Sequence, residues 1–202
     1  MRGWVINRSV SLHACRAKPL LALALLLLGA CASGATPGAM TVPLSEQTLL
    51  AETSRLRQSM QVGAIGGGRE TNPLWTSQVS DADFAAALRQ SLATHAMLSI
   101  NNQSFRIDAR MIGLDQPLAG FDMTVVSRVA YSVTNVATGA LVFQREISTS
   151  HTANFSSAIV AIERLRLANE GSVRENIRQF LLALIVEDRS NPATFARAPR
   201  VS

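Results

Sequence analysis

Apolar and polar positions alternate in a way that separates strands from helices along most of this chain. Met60, Val62 and Ile65 alternate with smaller or polar neighbours, which predicts a strand over 60–65, and Gly66-Gly67-Gly68 closes it. A loop follows over 66–79, with Asn72-Pro73 inside it. Ser80-Asp81-Ala82-Asp83 then reads as a helix start, with Ser80 as cap and two aspartates at the positive end of the dipole. Phe84, Leu88, Ser91, Leu92 and His95 share one face of this helix, which should end near Met97. Three strands come next. Phe105, Ile107, Ala109 and Met111 alternate with Arg106, Asp108 and Arg110. Met123, Val125, Val129, Tyr131 and Val133 alternate with Asp122, Thr124 and Arg128. Leu141, Phe143 and Ile147 alternate with Gln144, Glu146 and Ser148. The turn Asn135-Val136-Ala137-Thr138-Gly139 joins the last two strands into a long hairpin.

The final pattern is helical from Ser157 to about Glu187. Ile177, Phe180, Leu181 and Leu184 recur at i, i+3, i+4 and i+7, while Ile159, Ile162 and Leu165 carry the earlier part. Gly171 is a weak point where this helix would bend or break. A short helix is also expected over 45–54. The order β-α-β-β-β-α predicts an α+β two-layer sandwich: a four-stranded, mostly antiparallel sheet with two helices on one face. The domain is expected to span 45–188 as a single unit, with a frayed, disordered tail over 189–202.

Composition agrees with a folded domain: 48% of the residues are hydrophobic and 16% are charged. The net charge of +5 is unevenly placed. Arg2, Arg8, Arg16 and Lys18 fall in a stretch with no acid, and from residue 19 onward fifteen cations face fourteen anions. The domain is therefore almost neutral, which argues against a nucleic-acid partner. The basic stretch is followed by Leu-Leu-Ala-Leu-Ala-Leu-Leu-Leu-Leu over 20–28. Nine residues are too few to span a bilayer, which needs about 20, so residues 1–30 read as a secretory signal peptide.

Leu28-Gly29-Ala30-Cys31 resembles the lipobox of bacterial lipoproteins. The resemblance implies that Cys31 is acylated on sulfur and becomes the first residue of the mature chain. Cys15 would leave with the signal peptide. Several acyl chains at Cys31 would anchor the protein firmly, where one chain anchors marginally. Ala32 follows the cysteine where an aspartate would favour inner-membrane retention, so the resemblance implies the outer membrane, on its periplasmic face. Residues 31–44, rich in Gly, Pro and small side chains, then read as a lipidated flexible tether.

Candidate chemistry is sparse. His95 and His151 have no second ligand at metal-binding spacing, so no metal and no cofactor are expected. Gly67 and Gly68, with Arg69 after them, could contact an anion through backbone N–H groups and a guanidinium; without a following Lys-Ser/Thr they are no P-loop, and a plain mobile loop is the competing reading. Trp75 is either a core anchor for that loop or a partner contact. Three ion pairs are expected along the last helix: Glu170–Arg174, Glu163–Arg166 and Glu175–Arg178.

The lipobox, the tether and the β-α-β-β-β-α order together resemble small Gram-negative outer-membrane lipoproteins. The nearest types are the lipopolysaccharide-assembly lipoprotein (rare lipoprotein B), the YajG lipoprotein and the auxiliary lipoproteins of ABC transport systems. Residues 84–98, Val129-Ala130-Tyr131-Ser132-Val133, Thr138-Gly139 and Leu141-Val142-Phe143 carry the likeness. It implies a non-enzymatic adaptor, or an assembly or transport accessory, attached to the membrane through lipid on Cys31 with an envelope membrane protein or lipopolysaccharide as partner. The alternative is an envelope enzyme acting on a lipid or sugar, which would need Arg69, His95 or His151 to converge in one pocket.

Overall fold

The computed structural model describes residues 33–46, 50–72, 76–101 and 103–196. The expected signal peptide, Cys31 and Trp75 lie outside the described residues. Four strands form one sheet in the order β1-β2-β3-β4: β1 (Met60–Gly66), β2 (Phe105–Asp115), β3 (Met123–Asn135) and β4 (Leu141–Ala153). There are three α-helices among the described residues: α1 (Pro37–Met40), a single turn, then α2 (Asp81–Thr94) and α3 (Ala161–Ser190). The α+β class and the four strands agree with the sequence pattern. The sheet, however, is mixed. β2–β3 and β3–β4 are antiparallel, while β1 pairs with β2 in parallel. The cause is α2, which carries the chain back along the sheet, so that β2 starts at the same end as β1. Among the described residues of 45–54 there is no α-helix; a 3-10 turn runs over Leu44–Glu46.

The sheet buries one face, as the alternation required. Phe105, Ile107, Ala109 and Met111 of β2 and Val129, Tyr131 and Val133 of β3 join Phe143 and Ile147 of β4 in the core. Against them pack Phe84, Leu88 and Leu92 from α2 and Val173, Ile177, Phe180 and Leu184 from α3. Tyr131 and Phe180 stack with ring centroids 4.0 Å apart. Ile159 does not join the last helix; it is 87% exposed in the connection before it.

A polar seam crosses the packing of α3 on the sheet. Ser172 Oγ accepts from the backbone N–H of Ser127 at 3.0 Å and donates toward Thr149 O at 3.1 Å. Asn176 Nδ2 donates to Ser127 O at 3.2 Å and to Ile147 O at 2.9 Å. Its Oδ1 accepts from the Tyr131 hydroxyl at 2.9 Å. Ser127, Ser172 and Asn176 are buried, so each of these bonds satisfies a group that water does not reach. Gly171, the expected weak point, lies within an unbroken helix. A Cβ there would overlap the imidazole of His151 on β4, so the glycine exists to let the helix meet that ring.

The described parts of both terminal segments depart from expectation. Residues 189–196 are anchored: α3 continues to Ser190, and Phe195 is fully buried, edge-to-face on Phe105 at 5.4 Å. Residues 33–44 of the segment read as a flexible tether are packed, since Ala35, Met40 and Val42 are buried. Composition pointed to a tether because small residues and prolines favour linkers, but three apolar side chains suffice to dock a short strap.

Two stability predictions follow from this packing. Gly171→Ala should destabilise the protein by about 1–2 kcal/mol in urea denaturation, against the helix-propensity gain of about 1 kcal/mol. His151→Ala should restore most of that loss in the double variant. Phe195→Ala should cost about 3 kcal/mol, although sequence pattern places it in a frayed tail.

Candidate functional site

The glycine loop begins where β1 ends. Gly67 has φ +86, and a Cβ there would overlap Met111 O of the neighbouring strand, so glycine is required by close approach. Two of the loop's N–H groups are already engaged. Gly68 N–H donates to Asp81 Oδ1 at 2.6 Å, and Arg69 N–H donates to Val79 O at 2.9 Å. The carboxylate of Asp81 occupies the place an anion would take at Gly68. Asp81, read as a dipole cap, thus ties the loop to the start of α2. Ser80 caps the helix as expected, its Oγ accepting from Asp83 N–H at 3.1 Å.

Arg69 is exposed and borders a cavity of about 260 Å³, also lined by Gly67, Val79, Gly113, Asp115 and Arg128. Arg128 pairs with Asp115 at 3.3 Å, so the cavity presents mixed charge. A larger cavity of about 730 Å³ lies at the opposite end of the sheet, lined by Arg55, Gln58, Leu98, Ser99 and Ile100 among others. Beside it, Gln58 (φ 47) and Ala96 (φ 56) both adopt left-handed backbone, and Gln58 N–H donates to Ala96 O at 2.9 Å. No sequence signal marked this pair, because neither residue type favours that conformation.

The three residues on which an enzyme would depend do not converge. Arg69 precedes α2, and His95 follows it; the helix's 14 residues span about 21 Å. His95 is 2% exposed, and neither ring nitrogen has a hydrogen-bond partner among the described residues. Burial holds its pKa below the ordinary value. His151 packs against α3 in a third cavity with Gly171, Glu170 and Arg174. Burial lowers its pKa first and the Arg174 charge second, with Glu175 opposing.

The best-built polar arrangement is one that residue spacing did not reveal. Glu170 is 3% exposed and does not pair with Arg174 as expected. Its Oε1 accepts from Thr36 N–H at 2.9 Å, Thr36 Oγ1 at 3.0 Å and Arg166 Nη1 at 2.7 Å. Arg174 instead donates to Ala39 O at 3.3 Å. Ala35 N–H reaches Gln78 O at 3.1 Å, and Val42 N–H reaches Ser91 Oγ at 3.0 Å. The strap of residues 35–42 is therefore laid between α2 and α3, beginning at the end where both helices start. The other two helix pairs form as expected: Glu175 with Arg178 at 2.6 Å, and Glu163 with Arg166. These bonds hold the Glu163 and Glu175 carboxyls below their ordinary range.

No family model matches the chain, and no curated protein matches it in sequence. Among solved structures, a Xanthomonas campestris protein of the family DUF330 is similar at 7% identity and a TM-score of 0.55, covering 73% of this chain and 95% of that one. A candidate lipoprotein of Caulobacter crescentus is similar at 16% identity and 0.48, covering 67% and 93%. A minor lipoprotein of Acinetobacter baumannii is similar at 14% identity and 0.34, covering 76% and 100%. The first of these shows a shared fold.

The strap and the histidines each give a measurable expectation. Thr36→Val should cost about 1 kcal/mol and speed hydrogen exchange across residues 35–42, while exchange in β3 stays slow. Both histidines are held below their ordinary pKa, so the unfolded chain takes up protons first. Their contribution to stability is full above about pH 6.5 and is lost as pH falls through the folded values. The urea midpoint should thus drop between pH 7.5 and pH 5, and drop less in His151→Gln.

Proposed function

We propose that this chain is a lipid-anchored accessory protein of the Gram-negative cell envelope, acting by binding and not by catalysis. In this reading acyl chains on Cys31 hold it at the outer membrane, with the domain in the periplasm as an assembly or transport accessory. The observation that carries the reading is the strap. A basic segment, an apolar run and Leu28-Gly29-Ala30-Cys31 occur in the order of a lipoprotein precursor. Five residues after that cysteine, Thr36 is fastened to a buried carboxylate of the domain. An anchor at Cys31 would then hold the folded domain directly at the membrane, with no long linker between them. The separation of Arg69, His95 and His151 supports a binding role over an enzymatic one. The partner in this reading is an envelope membrane protein or lipopolysaccharide.

Expression in a Gram-negative host with radiolabelled palmitate tests the anchor. The wild-type chain should carry label and fractionate with outer membranes, and Cys31→Ala should lose the label and leave the membrane fraction. Label persisting in Cys31→Ala overturns the anchor. Crosslinking in intact cells should recover one specific envelope partner with the wild-type chain.

A further inference from the structure

The structure leaves a group of large apolar side chains exposed at one end of the sheet. Leu118 is 106% exposed, Phe121 81%, Ile159 87%, Val160 51% and Phe155 49%. They come from two connections, β2–β3 (residues 116–122) and β4–α3 (residues 154–160). An exposed apolar group of this size, fed by two loops, marks an interaction surface.

The two loops are stapled together, so the apolar groups are presented and not merely loose. Arg164, 4% exposed, donates to Ala158 O at 2.7 Å, to Ile159 O at 2.8 Å and to Gly120 O at 3.3 Å. Its guanidinium also lies over the Phe155 ring at 5.0 Å. Phe121 and Phe155 meet edge-to-face at 5.9 Å, and Phe155 N–H donates to Asp122 Oδ1 at 2.8 Å.

The cluster lies at the end of the sheet where the N-terminal strap enters. Gly34 lies against Thr71, its Cβ position 3.0 Å from Thr71 Oγ1, and Ala35 bonds Gln78. Gln78 Nε2 in turn donates to Gln116 Oε1 at 3.2 Å, two residues before Leu118. The strap therefore enters the fold at the end that carries the apolar cluster. Cys31 is three residues before Gly34, and three residues reach no further than about 11 Å. An acyl anchor on Cys31 is therefore joined by a short reach of chain to the strap's entry, at the end of the sheet that carries Leu118, Phe121 and Ile159.

We infer that these side chains form a tip that enters the same bilayer leaflet as the acyl chains on Cys31. The inference rests on the anchored reading proposed above. The tip gives the domain a second membrane contact and fixes its orientation. The 730 Å³ cavity beside Gln58 and Leu98, at the opposite end of the sheet, then faces away from the membrane.

The test uses the full chain in a Cys15→Ser background, expressed in a Gram-negative host, purified in its processed form and reconstituted into vesicles of phosphatidylethanolamine and phosphatidylglycerol. Acylation blocks Cys31, so a single thiol introduced by Leu118→Cys takes an environment-sensitive fluorophore. Leu118 is fully exposed, so this change leaves folding intact. The probe at 118 should shift to the blue and be quenched by brominated lipid. A probe at Ile100→Cys, 84% exposed at the far end, should do neither. A water-like spectrum at 118 in vesicle-bound protein overturns the tip. So does a blue shift that appears without vesicles as protein concentration rises, which assigns the cluster to a second copy of the chain. The mass of the N-terminal peptide reads acylation of Cys31 separately, so failure of the anchor is distinguished from failure of the tip.

Discussion

The close seating of α3 on β3 and β4 is the constraint from which the rest of this structure follows. Gly171 and Ser172 leave room for the helix to approach, and the approach brings backbone groups of Ser127, Ile147 and Thr149 within reach of its side chains. Those groups are shielded from water and must be paired. Ser172 and Asn176 pair them, and Tyr131 completes Asn176. A nonpolar helix face could slide or rotate on a sheet at modest cost. A face carrying several specific bonds of about 1 kcal/mol each, with orphaned polar groups as the penalty for slipping, keeps one register.

That register decides what α3 offers on its other sides. With Asn176 and Ser172 turned to the sheet, Glu170 and Arg174 are turned toward the groove beside α2, where Thr36 and Ala39 meet them. Nearly two turns before Glu170, Arg164 reaches the connections that flank the helix start. The same helix thus fastens the core, the N-terminal strap and the stapled apolar loops. The strap's entry and those loops share one end of the sheet, and the 730 Å³ cavity occupies the other.

Much of the fold was legible in the chain because its cause is local or periodic. Alternation at Phe105–Met111 and at Met123–Val133 reports a sheet with one buried face, whichever strand lies beside which. Ser80 and Asp83 sit three residues apart, and that spacing is the capping bond. What escaped reading depends on partners distant in sequence. β1 pairs in parallel because of where α2 returns the chain. Phe195 is buried because Phe105 lies beneath it, 90 residues away. Helix spacing pairs Glu170 with Arg174, yet a strap residue 134 positions earlier takes its carboxylate, and Arg166 rather than Arg174 supplies the charge. The glycines after β1 suit an anion cradle by composition, but Asp81 takes the N–H of Gly68 and Val79 that of Arg69.

By itself the sequence determined the α+β class, the four strands, the two long helices, the neutral charge of the domain and a cysteine in the setting of a lipoprotein signal. Each of these is written in periodicity, composition or contiguous order, which need no knowledge of the folded chain. The tertiary structure alone decided that residues 35–42 form a docked strap, that Phe195 is buried, and that Leu118, Phe121 and Ile159 lie exposed at the strap's end of the sheet. Those outcomes depend on surfaces assembled from distant segments. A single apolar residue in a loop carries no label saying whether it will find such a surface or remain exposed.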